Sequence, residues 1–245
     1  MAEDMLGIKP ISNAIEKVTD ASIKGSSAFL SRICLPAAEE FGFLLQDKVK
    51  SWRASNAVKL AQKAEQLVEK HHGTDAVKVH PRIAHSIFEE GSWSEDDIVH
   101  TMWAGLLVSG CNATGDDDSN IVFIAILKQL TVLQIRLLRN AIENTSKYVS
   151  KGGWPYADTI TYSIEELISI CQTKDIARID RELDHLRSLE LIGNGLGEGC
   201  GFSLDDNIAN MQPTGLALHL YVRGEGFIGS PLDYWNLKEK NTPSS

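Results

Sequence analysis

Arg178 and His185 stand seven residues apart, about two α-helical turns, so a helix would carry both on one face. That pair suits phosphodiester cleavage: a guanidinium stabilises the charge of a phosphorane while an imidazole shuttles the proton. A plainer account competes with it. Ile176, Ile179, Leu183 and Leu186 already supply a buried face to the same helix, which leaves Arg178 and His185 as exposed residues of a structural element. Residues at this spacing share a face in any helix, so the cleavage reading is the weaker one.

Other residues with chemical potential have equally ordinary explanations. His71, His72, His80 and His85 lie near Glu89, but their spacings match no structural zinc pattern, and histidines suit the negative end of a helix dipole. Asp116, Asp117 and Asp118 lack the ligand alternation of a calcium loop and read as a solvated turn. Gly193, Gly195, Gly197 and Gly199 are not followed by Gly-Lys-Ser/Thr or by a helix start, so they form a hairpin tip and no phosphate cradle. The cysteines Cys34, Cys111, Cys171 and Cys200 are scattered and never form C-x-x-C, which indicates neither a disulfide framework nor a zinc site. Trp52, between Lys50 and Arg53, fits a core position with a basic rim better than a membrane-interface anchor. The acidic run Glu95, Asp96, Asp97 is mostly helix capping, with a recognition role as the alternative. No catalytic, metal-binding or cofactor-binding residue is expected.

The elements that must position these residues are helical. Ile11, Ile15 and Val18 share a face, and Gly25 to Ser27 reads as a break after them. Pro36 opens a long helix reaching His71, with Phe41, Leu45, Val49, Trp52, Leu60, Ala64 and Leu67 near one stripe. So narrow a stripe needs a neighbouring helix or a second copy of the chain. Pro81 starts a helix burying Ile83, Ile87 and Phe88. Ser94 is the expected cap of the next, which turns Ile98, Val99, Met102, Trp103, Leu106 and Leu107 inward. An apolar helix covers 120–130, and Thr131 with Gln134 has capping-box spacing.

Residues 147–161, with Gly152-Gly153-Trp154-Pro155, read as an internal loop. After it, Ser163 and Glu166 form a second capping box, Asp175 caps a longer helix, and Leu191-Ile192 with Phe202-Ser203-Leu204 read as strands around a glycine-rich tip. A closing helix starts at Pro213-Thr214-Gly215. Helix, tight turn, longer helix and glycine-rich hairpin is the winged variant of the helix-turn-helix.

Charge complicates a nucleic-acid role for that fold. The chain has 24 Lys+Arg against 33 Asp+Glu, and residues 160–245 alone have 7 against 13. Arg178, Arg181 and Arg187 alternate with Asp175, Asp180, Glu182, Asp184 and Glu190, so phosphates would meet repulsion within one helix. Winged helices also serve as protein-binding and dimerisation units, and that use is favoured here. No stretch reaches the roughly 20 apolar residues of a spanning helix, and the N-terminus MAEDMLGIKP lacks signal-peptide features. A cytoplasmic protein is the expectation.

Three segments together resemble the abortive infection alpha (Abi-alpha) family of bacteria and phages. They run from Cys34 to Leu67, from Gly91 to Asn112 and from Phe123 to Leu138. Within them stand the aromatic-basic Lys50-Ser51-Trp52-Arg53, the acidic cluster, Trp103-Ala104-Gly105-Leu106-Leu107 and the L-K-Q-L stretch from Leu127 to Leu130. Order and spacing carry the resemblance, which spans roughly residues 30–220. It implies phage defence by abortive infection and no catalytic residue. Separately, the Arg178–His185 spacing sits at the upper limit used by a superfamily of helical-bundle toxin ribonucleases.

The resulting expectation is a mainly α protein: a helical region over 1–130 with one long helix, a winged-helix domain over 131–223 and a flexible tail over 224–245. It acts in abortive infection through contacts with a phage or host protein, as a homo-oligomer without cofactor. Glu95, Asp96, Asp97, Arg178, Arg181, His185 and Arg187 are the candidate interaction surface. The alternatives are a DNA-binding regulator of a defence locus and, behind it, a toxin ribonuclease.

Overall fold

A computed structural model describes residues 20–34, 48–72, 77–193, 201–203 and 208–237. The chain is mainly helical, with small antiparallel strand pairs. It divides into two compact units, Met1–Lys128 with Gly224–Phe227, and Gln129–Arg223 with Ile228–Ser245.

In the first unit, α1 (Asp20–Ile33), α2 (Lys48–His72), α3 (Pro81–Gly91), α4 (Asp97–Ser109) and α5 (Ile121–Leu127) surround one apolar core. Two residue pairs join β1 (Lys78–Val79) to β2 (Cys111–Asn112). The main contact sets α2 along α4, with α1 and α3 also against α2. Ala54, Ala57, Ala61 and Ala64 are all buried on α2, and small side chains at this spacing let a facing helix approach closely. Gly105 on α4 marks an even tighter approach: a Cβ there would lie 1.7 Å from the Gly224 carbonyl oxygen.

Two expectations need correction here, and part of a third lies outside the described residues. Helix α1 runs straight through Gly25, Ser26 and Ser27, because burial of Phe29, Leu30 and Ile33 outweighs a glycine cost of about 1 kcal/mol. The long helix is described from Lys48, so Pro36, Phe41 and Leu45 lie outside the described residues. Its middle is no narrow stripe. Every residue from Ala54 to Val58 is buried, as are Leu60 and Ala61, so along this stretch the neighbouring helix, α4 above all, is the partner.

The second unit starts with α6 (Val132–Asn144), whose Thr131–Gln134 capping box is formed. A hairpin of β3 (Lys147–Val149) and β4 (Pro155–Ala157) follows, then β5 (Ile160–Ser163), α7 (Ile164–Cys171) and α8 (Ile176–Ser188). Strands β6 (Gly201–Ser203) and β7 (Ile208–Met211) complete a three-stranded antiparallel sheet of order β5–β7–β6. Helices α6, α7 and α8 pack on one another. Helix α9 (Gly215–Gly224) leads to a short α10 (Pro231–Tyr234).

The region read as the loop 147–161 therefore holds two strands and the start of a third. The hairpin also falls later than expected: Leu191-Ile192 contributes a single bridge, Ile192 to Pro213, while β7 is the central strand. Residues 194–200 and Leu204 lie outside the described residues. Strands of three or four residues are too short to show alternation, so pairing decides them. The segment expected as a loose tail is packed as far as Trp235, whose ring stacks on Tyr221 with centroids 5.8 Å apart.

Candidate functional site

The acidic run is built into the entrance of α4. Asp96, not Ser94, is the cap: its Oδ1 accepts from the Ile98 and Val99 amides at 3.0 and 3.4 Å. Ser94 Oγ instead accepts from the Asp96 amide. Asp97 pairs with Lys63 of α2 at 2.9 Å, and Glu95 accepts a hydrogen bond from the Trp52 indole. All three acids thus have internal partners, and two of them fasten α4 to α2.

Beside them lies an aromatic feature that the sequence reading missed. Trp93 is 53% exposed, with the Arg53 guanidinium 4.3 Å from its ring centroid and the Trp52 ring 6.2 Å away. Arg53 is itself held by Glu89 at 2.9 Å and by Ser92 Oγ at 3.0 Å. Trp52 is half-buried and belongs to this cluster, correcting its assignment to the core. The two segments are some forty residues apart in sequence, which hid the pairing.

On α8, Asp175 caps the helix through the Arg178 amide at 3.0 Å. The Arg178 guanidinium lies 3.6 Å from Glu182, and Arg187 pairs with Asp184. Arg181 is exposed. His185 is not the free surface residue expected. It is half-buried, and its Nδ1 meets Gln134 Nε2 at 2.9 Å. Gln134 is wholly buried; its Oε1 accepts from the Thr131 amide and its Nε2 also donates to the Glu182 carbonyl. The structure thus makes His185 a strut between α6 and α8, and pairs Arg178 with Glu182.

The remaining candidates are separated or occupied. His80 Nδ1 accepts from the Arg82 amide and caps α3. His71 packs edge-on against Phe227. Asp116 accepts from Asn112 and Thr114, which hold its carboxyl below the usual range. Asp117 accepts from the Ser119 amide, and Asp118 pairs with Arg82. Among the described residues, no three His, Cys, Asp or Glu converge as a metal site. Burial pushes the Cys111 thiol up to about 12 and the Cys171 thiol to about 11, so neither offers a thiolate nucleophile near neutrality.

An aromatic-lined concave site forms in the second unit. A cavity of about 450 Å³ is lined by Trp154, Tyr156, Gln212, Thr214, Leu216 and His219, among others. Its two aromatic residues come from the β3–β4 hairpin, in the segment read as a loop. The Gly-Gly-Trp-Pro sequence was visible, but not that the turn would face α9.

The site residues thus define a two-unit, mainly helical protein whose charged candidates act as internal fasteners. The abortive infection alpha family model matches residues 55–204, more than half of the 245-residue chain, and the chain belongs to that family. Neither the curated proteins nor the solved structures contain a match to it. The family implies abortive-infection-type defence. No single helix is long and apolar enough to cross a membrane among the described residues.

Proposed function

We propose that this protein executes abortive infection in the cytoplasm through protein contacts, with no enzymatic chemistry of its own. Its winged helix, over 131–223, is the binding module and the helical region over 1–130 is the support. Three observations support the winged-helix reading: the order α6, β5, α7, α8, β6, β7, the sheet order β5–β7–β6 and the tight Gln172–Asp175 turn between α7 and α8. The observation that carries the functional reading is the internal use of the charged candidates. Asp96 caps, Asp97 and Glu95 fasten helices, His185 braces α6, and Arg178 and Arg187 are paired on their own helix. Self-association is part of the proposal, as is a silent resting state, because a host cannot maintain a constitutive killer; the trigger must then bind active and resting forms with different affinity.

The test is phage plating and infected-cell survival at high and low phage-to-cell ratios, with the wild-type chain and with Arg178, Arg181 and Arg187 all changed to Gln. Defence by both proteins, with cell death at high ratio, is the expected result. Unchanged plaque counts across a broad phage panel would remove the defence reading, and loss of defence in a stably folded triple variant would remove the protein-contact reading.

A second reading, a DNA-binding regulator, is favoured by one feature. Ala177, Arg178 and Arg181 are exposed on the N-terminal half of α8, and Lys174 is exposed just before its cap, the part of a recognition helix that meets base edges. Salt-sensitive retention of the full chain on duplex DNA, lost in the triple variant, is its signature.

A further inference from the structure

We propose that the cavity between the β3–β4 hairpin and α9 binds a nucleobase, presented as a small nucleoside-type ligand. This site stands independently of the protein-contact reading above.

The first observation is how Trp154 is held. It is 69% exposed, yet its backbone is fixed on both sides. Its carbonyl accepts from the Ser150 amide at 2.9 Å, and its amide donates to Ser150 Oγ at 3.1 Å. Gly153 closes the turn at φ +81°, a left-handed conformation that favours glycine. A rigid turn therefore offers a large apolar ring to solvent, at the mouth of a cavity. Tyr156, 47% exposed, is fixed in turn by Tyr148, its cross-strand partner, with ring centroids 6.0 Å apart and planes 23° from parallel. These faces suit a planar ring, since stacking on aromatic side chains is the common means of holding a base.

The second observation is the polar complement that lines the same cavity. Gln212 donates its Nε2 to the Ala157 carbonyl at 3.0 Å, which leaves Oε1 as an oriented acceptor among the lining residues. His219 lines the same cavity. Burial, aided by Arg223, holds its imidazole below the usual pKa, so near neutrality the ring offers one donor and one acceptor. An oriented amide oxygen and a neutral imidazole match the mixed donor and acceptor edge of a base. They match an anion poorly. The volume of about 450 Å³ lies in the range of small-molecule sites, roughly 300–1,000 Å³.

An unpaired base could also arrive within a DNA or RNA strand. The 7 to 13 imbalance of basic and acidic residues over 160–245 opposes a polyanion, which favours the small ligand.

Isothermal titration of the full chain with adenosine, guanosine, cytidine and uridine tests this, with ribose and a decathymidylate strand as separate arms. At least one nucleoside is expected to bind one site with Kd below ~1 mM. Trp154→Ala and His219→Ala should each weaken it about tenfold or more, and Trp154→Ala should leave the melting temperature unchanged because the ring packs little. Four nucleosides weaker than ~10 mM would overturn the proposal. So would ribose binding as tightly as a nucleoside, a Trp154→Ala protein with wild-type affinity, or binding of the strand alone.

Discussion

The side-chain amide of Gln134 on α6 donates to Nδ1 of His185 on α8 at 2.9 Å. Because Gln134 Oε1 accepts from the Thr131 amide, the amide cannot be turned over without losing the capping box. Nε2 must therefore be the donor and His185 Nδ1 the acceptor. The residue that looked most like a general base is one end of a buried brace, and Glu182 shares it through its carbonyl and through its side chain on Thr131 Oγ1.

Gln134→Ala would remove the partner of His185 Nδ1 and of the Thr131 amide together, and the second hydrogen bond to the Glu182 carbonyl. A loss of roughly 2–4 kcal/mol is expected, read from urea unfolding of the full chain. His185→Ala, which removes one acceptor, should cost about 1 kcal/mol and retain defence. Loss of defence by a stable His185→Ala protein would return the histidine to a chemical role.

Trp103 is 3% exposed in the core of the first unit. Trp103→Ala should cost roughly 3–5 kcal/mol through the cavity it leaves, a large part of a domain's stability. Poor soluble expression and an early melt are the expected readouts. A Trp103→Ala protein with wild-type stability and no defence would place the ring at a functional surface instead.

Two glycines should respond in opposite directions. A Cβ at Gly25 meets nothing within 4 Å, so Gly25→Ala should stabilise α1 by about 0.5–1 kcal/mol. At Gly105 the added carbon would meet the Gly224 carbonyl at 1.7 Å, closer than any contact tolerates, so Gly105→Ala should lower the melting temperature although alanine is the better helix former. Thermal melts of the two single variants decide both.

Acid should weaken the fold before any carboxylate titrates. His100 is 1% exposed, and burial lowers its pKa. Lys59 and Lys63 reinforce that direction, against the Ser94 backbone and Asp97. His71 and His219 shift the same way, chiefly by burial. As pH falls below about 6.5, the unfolded chain takes up protons that the folded chain resists, so stability is full above that value and declines toward the folded pKa. The urea midpoint should drop between about pH 7.5 and about pH 5.5, and less steeply in a His100→Gln protein. Equal slopes in the two proteins would exclude His100 as a contributor.

The sequence by itself determined three helices of the second unit and their starts. Thr131, Ser163 and Asp175 cap α6, α7 and α8 as their spacing requires, because a cap depends on residues three positions away. It also determined the core assignments of Ile83, Leu106, Leu107 and Leu183, where periodicity alone names the inward face. Contacts between distant segments were decided only by tertiary structure. Strands β5 and β7 pair across more than forty residues, and neither has the length to declare itself. Arg53 found Trp93, Gln134 found His185, and Trp154 came to line one cavity with His219 because packing brought their elements together. A polar side chain's partner is fixed by where the other helix arrives, and the local sequence carries no record of that.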